Sequence, residues 1–305
     1  MTDSIFRKDG TAQGVAKQRM IESLAKERKR VIFDPYAEKF VLGSSVIKVM
    51  GHRFCVWLTK KLSPGFHEHL IARTRFIDDL VEKTTAKGAI QYVILGAGYD
   101  TRAHRLKLPP NIEIFEVDQP EVQRQKQAKL PENIRNAEKV TYVGVDFNKQ
   151  TLKEQLLGAG FDVTKETIFT LEGVSQYIPK SAIAKTLQEV IELSKNVSVT
   201  FFISYVDIVL RQNPKACFGE GYVNPVKKAA LIQDLAAKVG EPWISLFTAK
   251  EVKDLFGKYG FSVTENKTLA DLNAEYFTPV GRTIPEREIF KLEHFVVAKR
   301  FVNNV

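Results

Sequence analysis

The stretch YVILGAGYDTRAHRL, Tyr92 to Leu106, sets an apolar run against Gly96 and Gly98 and then breaks into polar and charged residues. An apolar run of that length closed by glycine reads as a buried strand. The glycines let the loop backbone approach a ligand that a Cβ would push away. Working outward, AIQYVIL, NIEIFEVD, VTYVGVD, TIFTLEG and VSVTFFISYV are strand candidates, separated by helical segments at 119–129, 149–158 and 180–194. Strands alternating with helices imply right-handed crossovers and a mostly parallel sheet, an α/β fold. FSVTENKTL and HFVVAKRF supply two closing strands. Before them, Thr248 and Glu251 form a capping box for a helix running to Tyr259 and ended by Gly260, with Val252, Leu255, Phe256 and Tyr259 as its buried stripe.

Upstream, the first ninety residues read as helical, with helices over 11–30, 35–50 and 66–86. Val15, Met20, Ile21 and Leu24 share a face of the first helix. FDPYAEKF turns the chain, with Asp34 as a cap and Pro35 starting the next helix. Residues 206–246 form an insertion, including VKKAALIQDLAAKV and EPWISLF, that reads as a lid. The expected organisation is a single domain over 1–305: a helical lead (1–88), a cofactor-binding α/β core (89–205), the lid (206–246) and a closing helix with strands (247–305).

Hydrophobic residues make up 44% and charged residues 27% of the 305, which places the chain among ordinary folded proteins. The opening MTDSIFRKDG lacks the layout of a signal peptide. The most apolar stretch, VSVTFFISYVDIVL, is interrupted by Asp207 and too short to span a bilayer, so a cytoplasmic address without a membrane partner is expected. Cys55 and Cys217 lie far apart, which gives no disulfide framework and no metal-knuckle spacing; no metal is expected. The net charge is +9, densest in AKERKR at 25–30. Lys26, Arg28, Lys29 and Arg30 are read as solvated charges at a helix end, where they offset its dipole, so nucleic acid is not the expected partner.

Ligands of open α/β sheets sit beyond the carboxyl ends of the strands, near the switch in strand order. Gly96, Ala97 and Gly98 lie there, and Asp118 ends the next strand, positioned for ribose hydroxyls. A glycine loop alone is a weak signal. Thr101, however, stands where a dinucleotide fingerprint has its third glycine, and Asp100 inside the loop would repel a pyrophosphate. S-adenosyl-L-methionine carries no phosphate but does carry a sulfonium and an ammonium. Acids around the loop then become favourable, and one cation suffices for its carboxylate. VGVDF puts Asp146 at the end of the third strand, suited to the adenine amino group, with Phe147 beside the ring; FTLEGV puts Glu172 at the end of the fourth.

With TAQGVAKQRMIES, FDPYAEKF, ARTRFIDD, VILGAGYDTRAHRL, FEVDQP, VDF, LEGVSQYI and GFSVTENKTLADLNAEYF in this order, the chain resembles the leucine carboxyl methyltransferase type of S-adenosylmethionine-dependent methyltransferases, including their bacterial small-molecule relatives. The resemblance implies a class I methyltransferase fold: a Rossmann-like, seven-stranded, mostly parallel sheet with the last strand antiparallel and helices on both faces. It implies methyl transfer to an oxygen of a small-molecule carboxylate or hydroxyl. It gives Arg73 the cofactor carboxylate and Gly96 and Gly98 the methionine moiety. Asp118 falls to the ribose, Asp146 and Phe147 to the adenine, and Glu172 to the amino group or neighbouring atoms.

Ser175 and Gln176 before Tyr177 depart from the family pattern and suggest a more polar pocket wall. Tyr177 and Tyr205 are the candidate positioning residues. None of the five histidines stands out as a base: His67 and His69 precede Arg73, His52 and His104 sit in basic surroundings, and His294 opens the last strand. The competing readings are an NAD-dependent oxidoreductase and a basic nucleic-acid-binding protein that retains the fold. FDPY resembles a motif of amino-group methyltransferases but lies far upstream of the strand end where that motif works.

Overall fold

The computed structural model describes residues 10–135, 139–147, 149–238 and 240–302; the opening MTDSIFRKD lies outside the described residues. In chain order, α1 (Gly10–Ser23), α2 (Ser44–Leu62) and α3 (Phe66–Thr85) precede β1 (Gln91–Leu95), α4 (Arg102–Arg105), β2 (Glu113–Asp118) and α5 (Pro120–Lys129). There follow α6 (Glu132–Arg135), β3 (Val140–Gly144), α7 (Leu152–Gly158), β4 (Thr167–Leu171), α8 (Lys180–Leu193) and β5 (Val199–Val206). The chain closes with α9 (Val209–Gln212), α10 (Pro214–Cys217), α11 (Pro225–Lys238), α12 (Ala249–Lys258), β6 (Ser262–Lys267), α13 (Leu269–Leu272) and β7 (Glu293–Arg300). Two compact units emerge. A helical unit comprises Met1–Ile77, Val206–Leu246 and Lys267–His294; an α/β unit comprises Asp78–Tyr205, Phe247–Asn266 and Phe295–Val305. The inserted 206–246 thus groups with the helical lead.

The sheet has seven strands in the order β3-β2-β1-β4-β5-β7-β6, mostly parallel with the last strand antiparallel. β1 and β4 are buried along their whole length, as central parallel strands covered on both faces must be. β6 alternates exposed and half-buried positions and carries Glu265 and Lys267, a polar finish for an edge. Aromatic rings tie the core of this unit together. Phe169 and Phe201 face each other across β4 and β5 with stacked rings 6.1 Å apart, and Phe161, Phe256 and Phe261 pack against them. The Thr248–Glu251 capping box is present at the start of α12, with Val252 and Phe256 buried.

One buried charge pair lies under α5: the Lys126 ammonium meets Glu116 Oε2 at 2.5 Å. Burial outweighs Lys126 and pushes Glu116 from its ordinary 4.5 up to about 7. A carboxyl raised in the folded state keeps its proton where the unfolded chain has lost it. Stability from this group is therefore fully present below about 4.5 and is lost as pH rises through about 7. Urea unfolding on either side of that window is expected to show the decline, at most about 1.4 kcal/mol per pH unit, and Glu116→Gln should flatten it. An equally steep decline in Glu116→Gln would assign it to another group.

In the helical unit, Met20, Ile21, Ala37, Ile47 and Cys55 form a small core. Both tryptophans, Trp57 and Trp243, belong to this unit. Two helix expectations are corrected here. The helix expected over 11–30 stops at Ser23, because the Ser23 hydroxyl donates to Arg19 O and accepts from Asp34 N, while Glu22 accepts the Val31 N–H. Lys26, Arg28, Lys29 and Arg30 therefore lie in and around a short 3-10 turn, Glu27–Lys29, and not at the end of that helix. The helix expected over 35–50 is a 3-10 turn, Ala37–Phe40, followed by α2 from Ser44. Asp34 Oδ1 accepts the Tyr36 and Ala37 N–H groups, and Gly43 enters α2 through the left-handed region. Among the described residues no helix is long and apolar enough to cross a membrane. Both cysteines are buried free thiols.

Candidate cofactor site in the α/β unit

Register defines the site. Leu95 of β1 lies opposite Val117 of β2 on one side and Leu171 of β4 on the other. Gly96, Asp118 and Glu172 are each the first residue beyond that row, and Asp118 in turn lies opposite Gly144 of β3, two residues before Asp146. Three adjacent strands span about 10 Å. The chain continues from β1 to β2 on one side and from β4 to β5 on the other, so the strand order reverses between β1 and β4, where ligand crevices form.

The loop after β1 is bound to β2. Gly96 N and Ala97 N donate to Val117 O at 2.8 and 3.0 Å, and Gly98 N donates to Asp118 Oδ2 at 2.7 Å. Gln119 N donates to Asp118 Oδ1 at 2.7 Å. Burial raises the Asp118 carboxyl above its ordinary value, against the pull of the Gly98 and Gln119 bonds. Each of its oxygens has a further lone pair with which to accept a hydroxyl. Gly96 has φ 67°, and a Cβ there would stand 2.5 Å from Val174 Cγ2, so glycine alone fits.

Sequence reasoning missed the centre of the charge network. Arg102, 2% exposed, donates from Nη1 to Asp100 Oδ2 and Glu172 Oε2, both at 2.6 Å, and from Nε to Asp78 Oδ1 at 2.7 Å. Arg105 makes a two-pronged pair with Asp78. Burial opposes the Arg102 charge, but Asp100, Glu172 and Asp78 more than offset it and hold the guanidinium firmly protonated. Asp100, expected to repel a pyrophosphate, is paired with Arg102, and that repulsion is correspondingly weaker. The Asp-x-Arg spacing of Asp100 and Arg102 was the available signal. Three carboxylates against two guanidiniums still leave one net negative charge, and Asp118 adds another.

The remaining candidates take varied positions. Asp146 pairs with Lys149 at 3.3 Å and Phe147 is 54% exposed, both just beyond β3. Ser175 is buried and donates to Ser204 O at 2.6 Å, which commits its hydroxyl to the backbone; Gln176 is also buried. Tyr177 is half-buried in the short turn Ser175–Tyr177. Tyr205 is fully buried with its ring edge-on to Phe247. Arg73 belongs to the helical unit, where it is buried and its Nη1 meets Glu293 Oε1 and Oε2 at 2.9 and 2.8 Å. Two histidines also differ from expectation. His52 and His104, read as lying in basic surroundings, face Glu22 and Glu116, while His67 faces Glu22, His69 faces Glu293 and His294 faces Asp207.

The family model for leucine carboxyl methyltransferase matches residues 12–191. A provisionally named S-adenosyl-L-methionine-dependent methyltransferase of Frankia alni is 33% identical over 76% of this chain and 88% of its own length. Another so named, from Mycobacteroides abscessus, is 34% identical, the match spanning 60% of this chain and 59% of that protein. A solved structure of a duf574 family protein from Streptomyces avermitilis shares the fold, with a TM-score of 0.59 at 13% identity over 93% of this chain and 97% of that one.

Proposed function

The chain belongs to the leucine carboxyl methyltransferase family of S-adenosylmethionine-dependent methyltransferases, and from that premise we propose that it methylates a carboxylate or hydroxyl oxygen of a small molecule. The observation that carries the reading is the row formed by Gly96, Asp118 and Glu172 at the reversal of strand order. S-adenosylmethionine supplies a methyl carbon already activated by a positive sulfur, so an aligned oxygen is the main requirement. The residues of the chain bind and orient. Asp118 accepts the ribose hydroxyls on the lone pairs left by its two backbone bonds. Asp146 takes the adenine amino group and Phe147 covers the ring. Gly96, Ala97 and Gly98 leave room for the methionine moiety, and Glu172, steadied by Arg102, accepts from the ammonium. Family membership supports this reading over the nicotinamide and nucleic-acid alternatives. Two buried free thiols suit a cytoplasmic enzyme.

Methyl-labelled S-adenosylmethionine offered with a panel of small carboxylates and phenols tests the reaction. Expected are acceptor-dependent release of S-adenosylhomocysteine and label in an ester, cleaved by mild alkali, or in an ether, which resists it. Label on nitrogen would overturn the oxygen assignment. In binding titrations Asp118→Ala is expected to weaken S-adenosylmethionine by about 1.5–3 kcal/mol, roughly 10- to 150-fold, through loss of charged hydrogen bonds. The family resemblance gives Arg73 the cofactor carboxylate, so Arg73→Ala belongs in the same series; unchanged affinity would assign Arg73 to its Glu293 pair alone.

A further inference from the structure

In the helical unit, one carboxylate and two imidazoles converge: Glu22, His52 and His67 each offer one ligand atom, all within 4.8 Å of one another. Glu22 Oε2 is 3.0 Å from His67 Nε2 and 3.5 Å from His52 Nε2. Zinc bonds of about 2.0–2.1 Å in a tetrahedron set neighbouring ligand atoms roughly 3.3–3.4 Å apart. The two measured edges bracket that value.

The surroundings are arranged for ligation. Glu22 is fully buried, and its other oxygen, Oε1, accepts from Val31 N at 2.7 Å and Arg282 Nη1 at 2.6 Å, which fixes the carboxylate plane and turns Oε2 toward the two rings. His67 Nδ1 meets Gln18 Oε1 at 2.8 Å. With Nδ1–H as donor to that amide, Nε2 carries the lone pair, the outer-shell arrangement found at metal-bound histidines. His52 Nε2 is buried without a hydrogen-bond partner, an arrangement that costs free energy unless something else engages the nitrogen. A proton between His67 and Glu22 would satisfy that pair and leave His52 only its longer, 3.5 Å contact with Glu22.

Three helices bring the ligands together. Gln18 and Glu22 are four apart on α1 and share its face, and His67 lies in the first turn of α3. Gly51 leaves the helical region inside α2, at φ 73° and ψ 167°, and this break re-aims the segment that begins with His52.

We propose that Glu22, His52 and His67 form a binding site for a divalent d-block cation of the zinc type, with Gln18 and Arg282 as its outer shell. Two imidazoles and one carboxylate suit zinc and its neighbours, whereas magnesium and calcium prefer all-oxygen sets. Three protein ligands leave a fourth position for water. The Arg282 charge works against the dication, so the site is weaker than it would be without that guanidinium. Its effect is to pin the helical lead together at the break in α2.

The test is Co2+ titration of the chelator-treated full chain, with Zn2+ as competitor. Expected are one equivalent of Co2+ with the intense visible bands of a four-coordinate ion, their displacement by Zn2+, and a Zn2+-dependent rise in melting temperature. His52→Ala removes a ligand whose contact with Glu22 is the longer of the two, so it should fold in metal-free buffer as the wild type does and lose the bands and the Zn2+ shift. His52→Gln serves if the alanine variant does not fold. Gln18→Ala is expected to weaken binding about 10- to 100-fold and keep the spectrum. No stoichiometric uptake by the wild type, or uptake unchanged when His52 is replaced, would overturn the site and leave only a histidine–glutamate hydrogen bond.

Discussion

Replacing Arg102 with methionine is expected to destabilise the α/β unit by about 3–5 kcal/mol, the usual cost of stripping the partner from buried charge, and to abolish S-adenosylmethionine binding. Methionine fills much of the same volume, so packing loss is minor and the electrostatic term is isolated. Three carboxylates lose their shared donor at once. Asp78 keeps Arg105, whereas Asp100 and Glu172 each lose a 2.6 Å ion pair with the Arg102 Nη1. Asp100 also accepts the backbone N–H of residue 102, a bond that methionine keeps, so the loop after β1 loses its charge balance and not that anchor. Arg102→Lys should recover little, because one ammonium cannot present the planar fork that reaches all three acids. Urea unfolding and cofactor titration measure the two effects; a variant within ~1 kcal/mol of wild type would mean that the network contributes little.

Gly96→Val carries the second large effect. A β-branched side chain in the left-handed region costs about 1–2 kcal/mol, and driving it into Val174 adds roughly 1–3 kcal/mol of overpacking. Because Gly96 and Ala97 are tied to Val117, the strain has to be relieved by shifting the loop or the segment that follows Glu172. Either shift disturbs the proposed slot, so methyl transfer should fall to background even in the folded fraction. Val174→Ala in the same chain tests the cause: the double variant should regain the contact component and keep the backbone component. Purely additive losses would mean that the Val174 contact is not the source.

Strands β1 to β5 were legible because each is a short, mainly apolar run closed by glycine or an acid, and in β1 and β4 burial on both faces makes that run continuous. The capping box of α12 was legible because its two bonds lie within four residues. The helical lead was less so. Periodicity over 11–30 carries no trace of Glu22 reaching Val31 or of Ser23 reaching Asp34, and those tertiary bonds end α1. The slot acids were found by their places at strand ends, whereas Arg102 was missed because Asp78 and Glu172 meet it across 24 and 70 residues of chain. The Glu22, His52 and His67 cluster escaped for the same reason. No spacing rule joins ligands from three helices, and cysteine counting looks in the wrong place.

The placement of both indoles in the helical unit has a practical side. Intrinsic fluorescence excited at the tryptophan edge reports the environment of Trp57, 51% exposed, and of Trp243, and is blind to the phenylalanine-lined interior around Phe169 and Phe201. Circular dichroism in the amide region sees the helices and the sheet alike. Denaturation followed by both signals therefore measures cooperativity between the units: superimposed curves mean that they melt as one, and separated midpoints mean that each has its own transition.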